Sequence, residues 1–419
     1  MEIFRAYKTE IDPNNKQCTA LLKHAGVARF VWNWALARRK QEYEATGKSS
    51  NAIEQHRQLN ELKKTAFPWL YEVSKCAPQE ALRDLDKAYQ NFFRRVKNGN
   101  EAPSFPKFKS HKNGVGSFRL TGTIHVTETH VKLPRIGWLR LKEHGYIPTS
   151  GTHILSATVS ETAGRWFVSI QCEEEIEDTV ATGEPVGVDL GIKSMATVSD
   201  GREFENPKAL RKAQSKLARI QRELSRRKKG GKNREKTRRR IAQAHYQIAS
   251  IRKDALHKAT SAITAKTKPE SERPAIVVVE DLNVAGMVKN HCLAQAVADV
   301  GMGEFRCQIE YKTKWLGGHL LVADRFFPSS RLCSVCGTIN SKLTLSDRTW
   351  TCDCGAVHDR DLNAAINLRN LAVRRVSPEQ TCIEQVNACG DYVRPDSLGS
   401  GCGSRNQTLD LPMADLSRF

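Results

Sequence analysis

Four cysteines in the last third of the chain have the spacing of metal ligands. Cys333 and Cys336 form a C-x2-C pair, and fifteen residues separate them from the C-x-C pair of Cys352 and Cys354. A glycine follows each pair, and thiolates in this pattern predict a zinc ribbon whose four ligands leave no open position, so that the zinc is structural. Because the second pair is one residue shorter than usual, His358 is an alternative ligand.

Three carboxylates lie at the ends of predicted secondary-structure elements. Asp189 lies near the end of the apolar strand in PVGVDLG, Glu280 closes the run AIVVVE, and Asp361 lies at the start of the helix DRDLNAAINL. If they meet at one sheet edge, they repel one another unless cations lie between them, and such oxygen ligands suit Mg²⁺ or Mn²⁺. Two ions about 3.5–4 Å apart can activate water and stabilise the leaving oxygen in phosphodiester hydrolysis. Taken singly, Asp189 and Asp361 are more typical of turns and helix caps, but the combination in a basic chain favours a nuclease.

The bulk composition indicates a polyanionic partner. The 419 residues include 66 Lys and Arg against 46 Asp and Glu, which gives a net charge of +20. This excess favours nucleic acid or an anionic membrane surface, and the sequence contains no apolar run of about eighteen residues that would favour a membrane protein. The start, MEIFRAYKTEIDP, lacks the apolar stretch of a signal peptide, and the other cysteines are scattered, so we expect a reduced, cytoplasmic protein.

Most of the charge excess lies on one predicted helical hairpin, residues 208–258. Residues 208–240 contain 16 Lys and Arg but only two acids, so they contribute +14 of the net charge. A solvated helix normally mixes both signs, whereas this one needs a polyanion to offset its self-repulsion. We therefore predict contacts with nucleic-acid phosphates, which give affinity without sequence specificity, by Arg226, Arg227, Lys228, Lys229, Arg238, Arg239 and Arg240.

The first 180 residues combine strands with a helical block. Alternation predicts a strand at residues 1–12, helical periodicity extends to about residue 98, and period-two alternation returns over residues 117–176. The strands predict a small antiparallel β-barrel or sheet that the first strand joins, with the helices as an insertion. In the connecting segment, Lys107 and Lys109 alternate with phenylalanines, a pattern that could hold a nucleic-acid strand. An ordinary linker explains this pattern equally well.

From Pro185 onward, apolar strands alternate with helices and predict an α/β unit. The cysteine module occupies residues 326–357, directly before the helix that carries Asp361. A folded zinc module in this position would fix the start of that helix. From Ser377 onward the chain is polar and contains Gly and Ser, so we expect a flexible tail.

Several segments together resemble the TnpB (OrfB) family of transposon-encoded RuvC-like nucleases, which is related to type V CRISPR effectors. The resemblance spans roughly residues 1–370 and rests on GVDLGIKSMATVSDG, VVVEDLNVAGM, SSRLCSVCG, TWTCDCGAVHDRDLNAAINL, ARFVWNWAL and PWLYEVSKCAPQEALRDLDKAYQNFF. It implies an RNA-guided endonuclease of an insertion-sequence transposon that cleaves double-stranded DNA beside a short adjacent motif. Asp189, Glu280 and Asp361 match the catalytic positions of the family. The implied partners are a guide (omega-type) RNA from the transposon end, bound by one monomer, and the DNA target.

The resemblance also implies a multidomain α/β and β protein. In this architecture a zinc-ribbon insertion splits an RNase H-like (RuvC) nuclease domain, which follows an antiparallel β-barrel (wedge) domain with a helical recognition insertion. The expected boundaries are 1–12 and 104–180 for the wedge barrel, 13–103 for the recognition lobe, 181–325 and 358–376 for the nuclease, 326–357 for the ribbon and 377–419 for the tail. In the recognition lobe, Lys75 and Gln79 lie one turn apart and could contact base edges in the major groove, although an ordinary surface helix is as good an explanation.

Two other functions remain open. A guide-RNA-dependent regulator that binds DNA without cleaving it would leave target DNA intact in the presence of RNA and Mg²⁺. A transposase that joins strands itself would give strand-transfer products without guide RNA. The sequence has no obvious tyrosine nucleophile flanked by a paired-histidine motif, which argues against the second alternative.

Overall fold

The structure is a computed structural model that describes residues 2–99, 103–344 and 346–376. The predicted flexible tail, 377–419, lies outside the described residues. Within the described part, no helix has both the length and the apolar character needed to cross a membrane.

The first half of the chain forms one antiparallel sheet and a set of helices. In chain order its elements are β1 (Glu2–Asp12), α1 (Asn15–Thr46), α2 (Ala52–Thr65), α3 (Cys76–Lys97), β2 (Ser117–Leu120), β3 (His125–Val126), β4 (His130–Leu133), β5 (Gly137–Leu141), β6 (Thr152–Thr162) and β7 (Arg165–Glu175). The strand order is β2-β6-β7-β1-β5-β4-β3, so β1 lies inside the sheet between β7 and β5. The three helices therefore lie in the chain between two strands of one sheet.

The helices and this sheet share a hydrophobic core. Leu21 and Leu36 of α1 and Leu82 of α3 are fully buried together with Ile11 of β1 and Val168 of β7. The long helix α1 begins at a capping box, in which the Asn14 and Gln17 side chains satisfy each other's backbone N–H groups. The amphipathic periodicity in the sequence thus corresponds to a helical layer that covers one face of the sheet.

The seven-stranded sheet is open, which corrects the expected closed β-barrel. Its edge strands, β2 and β3, pair only with β6 and β4 among the described residues. Closure needs continuous hydrogen bonding between the two edges. Here β2 has four residues and β3 has two, so these edge strands are too short to form a continuous set of hydrogen bonds with each other.

The second half of the chain forms a mixed sheet with helices. Its elements are β8 (Val186–Asp189), β9 (Ser194–Val198), β10 (Glu203–Glu205), α4 (Ala209–Arg226), α5 (Lys232–Ile263), β11 (Ile276–Glu280), α6 (Val284–Lys289), α7 (Ala294–Val300), α8 (Met302–Trp315), β12 (His319–Ala323), β13 (Thr349–Thr351), β14 (Val357–Asp359) and α9 (Arg360–Val376). The strand order is β10-β9-β8-β11-β12, and β8, β11 and β12 are parallel.

Both faces of this sheet are buried, which explains the unbroken apolar run of β11. Val277 and Val279 pack against a core that includes residues of α5, α7 and α8, such as Leu256 and Phe305. Val278 points to the opposite face and packs with Leu368 and Ala372 of α9. A strand that is buried on both faces does not need to alternate polar and apolar residues.

Helix α9 lies directly on the backbone of β8. A Cβ atom added at Gly187 would come within 2.0 Å of the Ala365 carbonyl oxygen and 2.4 Å of the Arg369 nitrogen. Glycine is therefore required at this position so that helix and strand can approach this closely. The contact fixes α9 against the strand that ends in Asp189.

The cysteine module lies in the chain between β12 and α9. The short antiparallel pair β13–β14 packs with a small core of its own, in which Leu343 and Trp350 are buried beside Cys333 and Cys352. A core of this size is marginal by itself, and such modules commonly depend on a metal.

Candidate functional site: a carboxylate cluster beside a four-cysteine cluster

The parallel register brings Asp189 and Glu280 to the same sheet edge. Val188 of β8 is opposite Val279 of β11, so the next residues, Asp189 and Glu280, are neighbours across the two strands. Adjacent strands lie about 4.8 Å apart. Two carboxylates that are 91 positions apart in the sequence thus end adjacent strands.

The third carboxylate lies toward the same edge because α9 covers the same face. Side chains two positions apart on a strand share a face, so Asp189 lies on the face of Gly187 and Glu280 on the face of Val278. Both Gly187 and Val278 contact α9. Asp361 is in the first turn of this helix, and its charge acts on Asp189.

The surroundings of Asp189 oppose the ionisation of its carboxyl group. Burial is the main cause that raises the pKa of Asp189 well above its usual value of 3.8, and the charges of Glu280 and Asp361 raise it further. Arg360 and Arg348 lower it only in part. Like charges brought together in this way favour a bound cation or a shared proton.

Asp361 is not the cap of its helix. The Asp359 carboxylate performs this task, since its Oδ1 accepts hydrogen bonds from the N–H groups of Asp361 at 3.1 Å and Leu362 at 3.0 Å. The Asp361 carboxylate instead forms an ion pair with Arg348, with 3.4 Å between Nη1 and Oδ1. The role of helix cap, which the sequence also allowed for Asp361, therefore belongs to Asp359. The Asp361 carboxylate remains available for the carboxylate cluster.

Glu280 and the next residue have different partners. Ser329 donates a hydrogen bond from its hydroxyl to Glu280 Oε1. Asp281 pairs with Arg306 at 2.9 Å and Arg325 at 2.5 Å, and these bonds lower its pKa. The arginines thus neutralise Asp281, and a single hydroxyl orients Glu280.

The four cysteines converge as a set. The ligand atoms of Cys333, Cys336, Cys352 and Cys354 all lie within 4.8 Å of one another. Cys333 Sγ is 3.8 Å from Cys354 Sγ, and Cys336 Sγ is 3.5 Å from Cys352 Sγ. Tetrahedral zinc with Zn–S bonds of about 2.3 Å requires sulfur–sulfur distances of about 3.8 Å. The cluster is therefore compatible with structural zinc. Both cysteines of the C-x-C pair belong to it, so four sulfur ligands are present without His358.

His358 supports the cluster from outside. Its Nε2 lies 3.1 Å from Cys333 Sγ, and its ring packs on Trp350 with 4.7 Å between centroids. The group of four ligand atoms in the described residues does not include it. His358, predicted as an alternative ligand, thus contacts a ligand sulfur in this structure.

The basic hairpin exists as α4 and α5, and its cations fall into two groups. Arg227 and Arg240 pair with Glu223, and Arg238 pairs with Glu235. The other predicted contacts, namely Arg226, Lys228, Lys229 and Arg239, are exposed and have no acidic partner in the described residues. A groove of about 750 Å³ along α4 is lined by Ser215, Lys216, Arg219, Arg222, Glu223, Arg226 and Arg227.

The remaining residues predicted to contact nucleic acid differ in the contacts that they make within the protein. Lys75 immediately precedes α3 and is exposed, and Gln79 is half-exposed one turn later. Lys109 Nζ lies 3.8 Å from the centroid of the Trp32 ring, and its backbone forms two hydrogen bonds with Asn33. Lys107 and Lys109 are both exposed. The segment around Lys109 is thus held on α1 with its lysines accessible, and the prediction that they contact nucleic acid stays a prediction.

Sequence reasoning did not identify several polar residues that support these clusters. Ser329, Arg348, Asn363 and Asn367 each contact a candidate site residue or the chain that carries the cysteines. The two asparagines could have been noticed, because polar residues four apart in DLNAAIN interrupt the apolar face of α9.

Three known family patterns match this chain in sequence. Residues 157–291 match OrfB_IS605, described as "Probable transposase", and residues 303–368 match the Cas12f1-like TNB domain. Residues 1–48 match a family described as "Helix-turn-helix domain" from OrfB_IS605 proteins. In the structure this last segment is a strand followed by a single long helix rather than two helices.

Curated relatives match along nearly the whole chain. A protein of Streptomyces pristinaespiralis named "Putative RNA-guided DNA endonuclease" is 38% identical over 96% of this chain and 95% of its own length. "Putative RNA-guided DNA endonuclease InsQ" of Escherichia coli is 34% identical over 88% of this chain and 92% of its own. The chain belongs to the TnpB (OrfB) family.

A solved structure shares the fold at low sequence identity. The protein in the cryo-EM structure of a Cas12f1–sgRNA–target DNA complex matches with a TM-score of 0.52 and 14% identity, over 88% of this chain and 99% of that one. The match supports a mixed α/β architecture with antiparallel strands, as the sequence resemblance implies.

Proposed function

We propose that this protein is an RNA-guided DNA endonuclease of an insertion-sequence transposon, which cleaves double-stranded DNA beside a short adjacent motif. The observation that carries the proposal is the parallel register that ends β8 and β11 at one sheet edge, where the charges of Glu280 and Asp361 act on Asp189. Relatives named as RNA-guided DNA endonucleases over nearly the full length support the guide and the substrate. The mixed sheet with helices on both faces supports an RNase H-like (RuvC) nuclease domain.

The three carboxylates are the proposed catalytic residues, and they would hold two Mg²⁺ or Mn²⁺ ions. The fit is good because three converging acids without enough neutralising arginine offer hard oxygen ligands. When bound, the ions supply activation of a water and stabilisation of the leaving oxygen in phosphodiester hydrolysis. Ser329 orients Glu280, and Arg348 orients Asp361.

The four cysteines are the proposed ligands of one structural zinc ion, in a ribbon inserted at 326–357 between two parts of the nuclease domain. Their mutual distances support this assignment. The proposed division of the rest is a wedge domain at 1–12 and 104–180 and a recognition lobe at 13–103. The proposed partners are an omega-type guide RNA, bound by one monomer in the cytoplasm, and the target DNA.

The deciding experiment starts from the RNA that copurifies with the protein. Sequencing should recover one discrete RNA, and the protein with this RNA and Mg²⁺ should cut DNA from a library that matches its guide portion. Intact matched DNA, with Asp189→Asn no different from the native protein, would instead support a regulator without cleavage. Strand-transfer products formed without RNA would support a transposase.

The basic hairpin gives a separate test of nucleic-acid binding. The triple variant Arg226→Ala/Lys228→Ala/Lys229→Ala removes cations that have no acidic partner, so RNA affinity should fall and the slope of log K against log salt should decrease by about 2–3. The measurement is filter binding across a salt series.

The matched control removes the paired cations Arg227, Arg238 and Arg240, which are partly neutralised by Glu223 and Glu235. Its slope should change by less than that of the first triple variant. Equal slopes for both triple variants and the native protein would contradict a phosphate-binding role for the hairpin.

A further inference from the structure

A buried polar bridge connects α9 to the segment that leads into the cysteine cluster. Asn363 and Asn367 are only 1% and 2% exposed. They are four residues apart, so they lie on the same face of the helix. Buried amides of this kind require partners, and both side chains find them in one short stretch, Ser329–Ser334.

The asparagines hold this stretch by its backbone. Asn367 Nδ2 donates to the carbonyl oxygens of Ser329 at 2.8 Å and Leu332 at 2.6 Å. Asn363 Nδ2 donates to the Leu332 carbonyl at 2.7 Å, and Asn363 Oδ1 accepts from the Ser334 N–H at 3.0 Å. The residue between Leu332 and Ser334 is Cys333, so the bridge clamps the chain on both sides of a cluster cysteine.

The same stretch reaches the carboxylate cluster at its other end. Ser329 is 4% exposed, and its hydroxyl donates to Glu280 Oε1. Asp361, which lies two residues before Asn363 on α9, belongs to that cluster. One short segment therefore contacts Glu280, begins the cysteine cluster and is fastened to the helix that carries Asp361.

We propose that Asn363 and Asn367 are positioning residues, which hold Ser329–Ser334 so that the Ser329 hydroxyl orients Glu280 and the cysteine cluster fixes the carboxylate geometry. The inference rests on the proposed role of Glu280 as a metal ligand. It gives the cysteine cluster a second task beyond the stability of its own module.

The physical reason is preorganisation. A hydroxyl that donates to one carboxylate oxygen holds the Glu280 side chain in one rotamer and leaves the second oxygen for a metal ion. Hydrogen bonds to charged groups are among the stronger ones, so loss of this bond corresponds to about a ten-fold loss of metal affinity.

The first test compares Ser329→Ala with Ser330→Ala in the full chain with its copurifying RNA. Ser330 is the adjacent serine, and it forms no hydrogen bond with the part of the chain that the structure describes. Mn²⁺ affinity, measured by electron paramagnetic resonance, should fall about ten-fold in Ser329→Ala and stay unchanged in Ser330→Ala. Zinc content should be the same in both. Unchanged Mn²⁺ affinity in Ser329→Ala, or a native protein that binds no Mn²⁺, overturns the proposal.

The second test compares Asn367→Ala with Asn370→Ala. Asn370 lies on the same helix and is half-exposed, and its side chain forms no hydrogen bond with the described residues. Asn367→Ala removes the donor to the Ser329 carbonyl and one of the two donors to the Leu332 carbonyl, so zinc should be lost faster to a chelator and Mn²⁺ should bind more weakly, both about ten-fold. If Asn367→Ala retains zinc and Mn²⁺ as Asn370→Ala does, the bridge has no positioning role.

The metal dependence of cleavage separates orientation of Glu280 from a merely structural effect. If the Ser329 hydroxyl orients Glu280 for a metal ion, Ser329→Ala should need about ten-fold more Mn²⁺ for half-maximal cleavage and should reach the native rate at saturating Mn²⁺. A loss of rate that saturating Mn²⁺ does not restore would contradict the proposal. Because Mn²⁺ binding is measured without cleavage, a native protein that binds Mn²⁺ but never cuts DNA would refute the proposed function and leave this inference standing.

Discussion

The cysteine cluster and the carboxylate cluster are both candidate metal sites, but the chain builds them in different ways. The four cysteines come from residues 333–354, a local stretch in which the sulfurs converge as their spacing predicts. The three carboxylates come from residues 189–361 and lie toward one edge only because two parallel strands and one helix share it. The comparison teaches that a local site can be recognised from spacing, whereas a distributed site depends on the fold.

The charges of the two clusters differ as well. Burial and two neighbouring carboxylates raise the pKa of Asp189. At the exposed Cys336, hydrogen bonds with Thr338 and the neighbouring sulfur atoms lower the pKa of the thiol to about 6. The cysteine cluster thus contains one thiol that is easily ionised, while the carboxylate cluster opposes its own ionisation without a cation.

The largest effect should come from Asp189, the half-buried acid with the raised pKa. Asp189→Asn keeps the shape of the side chain but removes its charge, so we expect single-turnover DNA cleavage to fall by more than about a hundred-fold, beyond what outer-shell partners of metal sites usually cost. RNA binding should be unaffected. Asp200→Asn, which alters an exposed acid paired with Arg202, serves as control and should cleave normally.

Loss of one cysteine tests whether the two clusters are independent. In Cys336→Ser we expect zinc content to drop well below one ion per chain, because a tetrahedral site loses a thiolate ligand. Cleavage should fall about ten-fold through the connection to Glu280. Zinc by mass spectrometry and cleavage rates check this, with Cys307→Ser, an exposed thiol outside the cluster, as control. Full zinc retention in Cys336→Ser would refute the four-cysteine assignment.

A glycine tests the dependence of the carboxylates on the fold. Gly187→Ala would place a methyl group 2.0 Å from the Ala365 carbonyl, so α9 must shift, at about 1–3 kcal/mol of stability. Cleavage should fall because Asp361 moves with the helix, while zinc remains bound.

The matched control is Gly303→Ala in α8, where the new methyl group meets nothing within 4 Å. Alanine should there leave cleavage intact and raise the melting temperature slightly. Normal cleavage by Gly187→Ala would show that the position of α9 does not matter for the carboxylates.

The smallest effect should be a pH-dependent stabilisation by Mg²⁺. Since the folded-state pKa of Asp189 is raised above its usual 3.8, the stability it contributes is fully present below that value and is lost as the pH rises through the raised pKa. Mg²⁺ favours the ionised form and should offset this loss, so the ion should raise the melting temperature more at about pH 8 than at about pH 5. Calorimetry checks this, and Asp189→Asn should reduce the difference. An equal shift at both pH values would contradict it.

The sequence by itself determined the features that depend on neighbours along the chain. It predicted the long helices, the alternating strands, the apolar run of β11 and the cysteine pattern, because periodicity and ligand spacing are local properties. The family resemblance, carried by motifs such as VVVEDLNVAGM, is confirmed by relatives that match nearly the full length.

Only the tertiary structure decided which residues meet. The open sheet instead of a barrel, the close approach of α9 to Gly187 and the packing of Lys109 on Trp32 all depend on contacts between segments distant in sequence. The bridge of Asn363 and Asn367 is of the same kind. These contacts follow from the packing of strands and helices in three dimensions, where burial and hydrogen bonding of many residues together select one arrangement that no local pattern specifies.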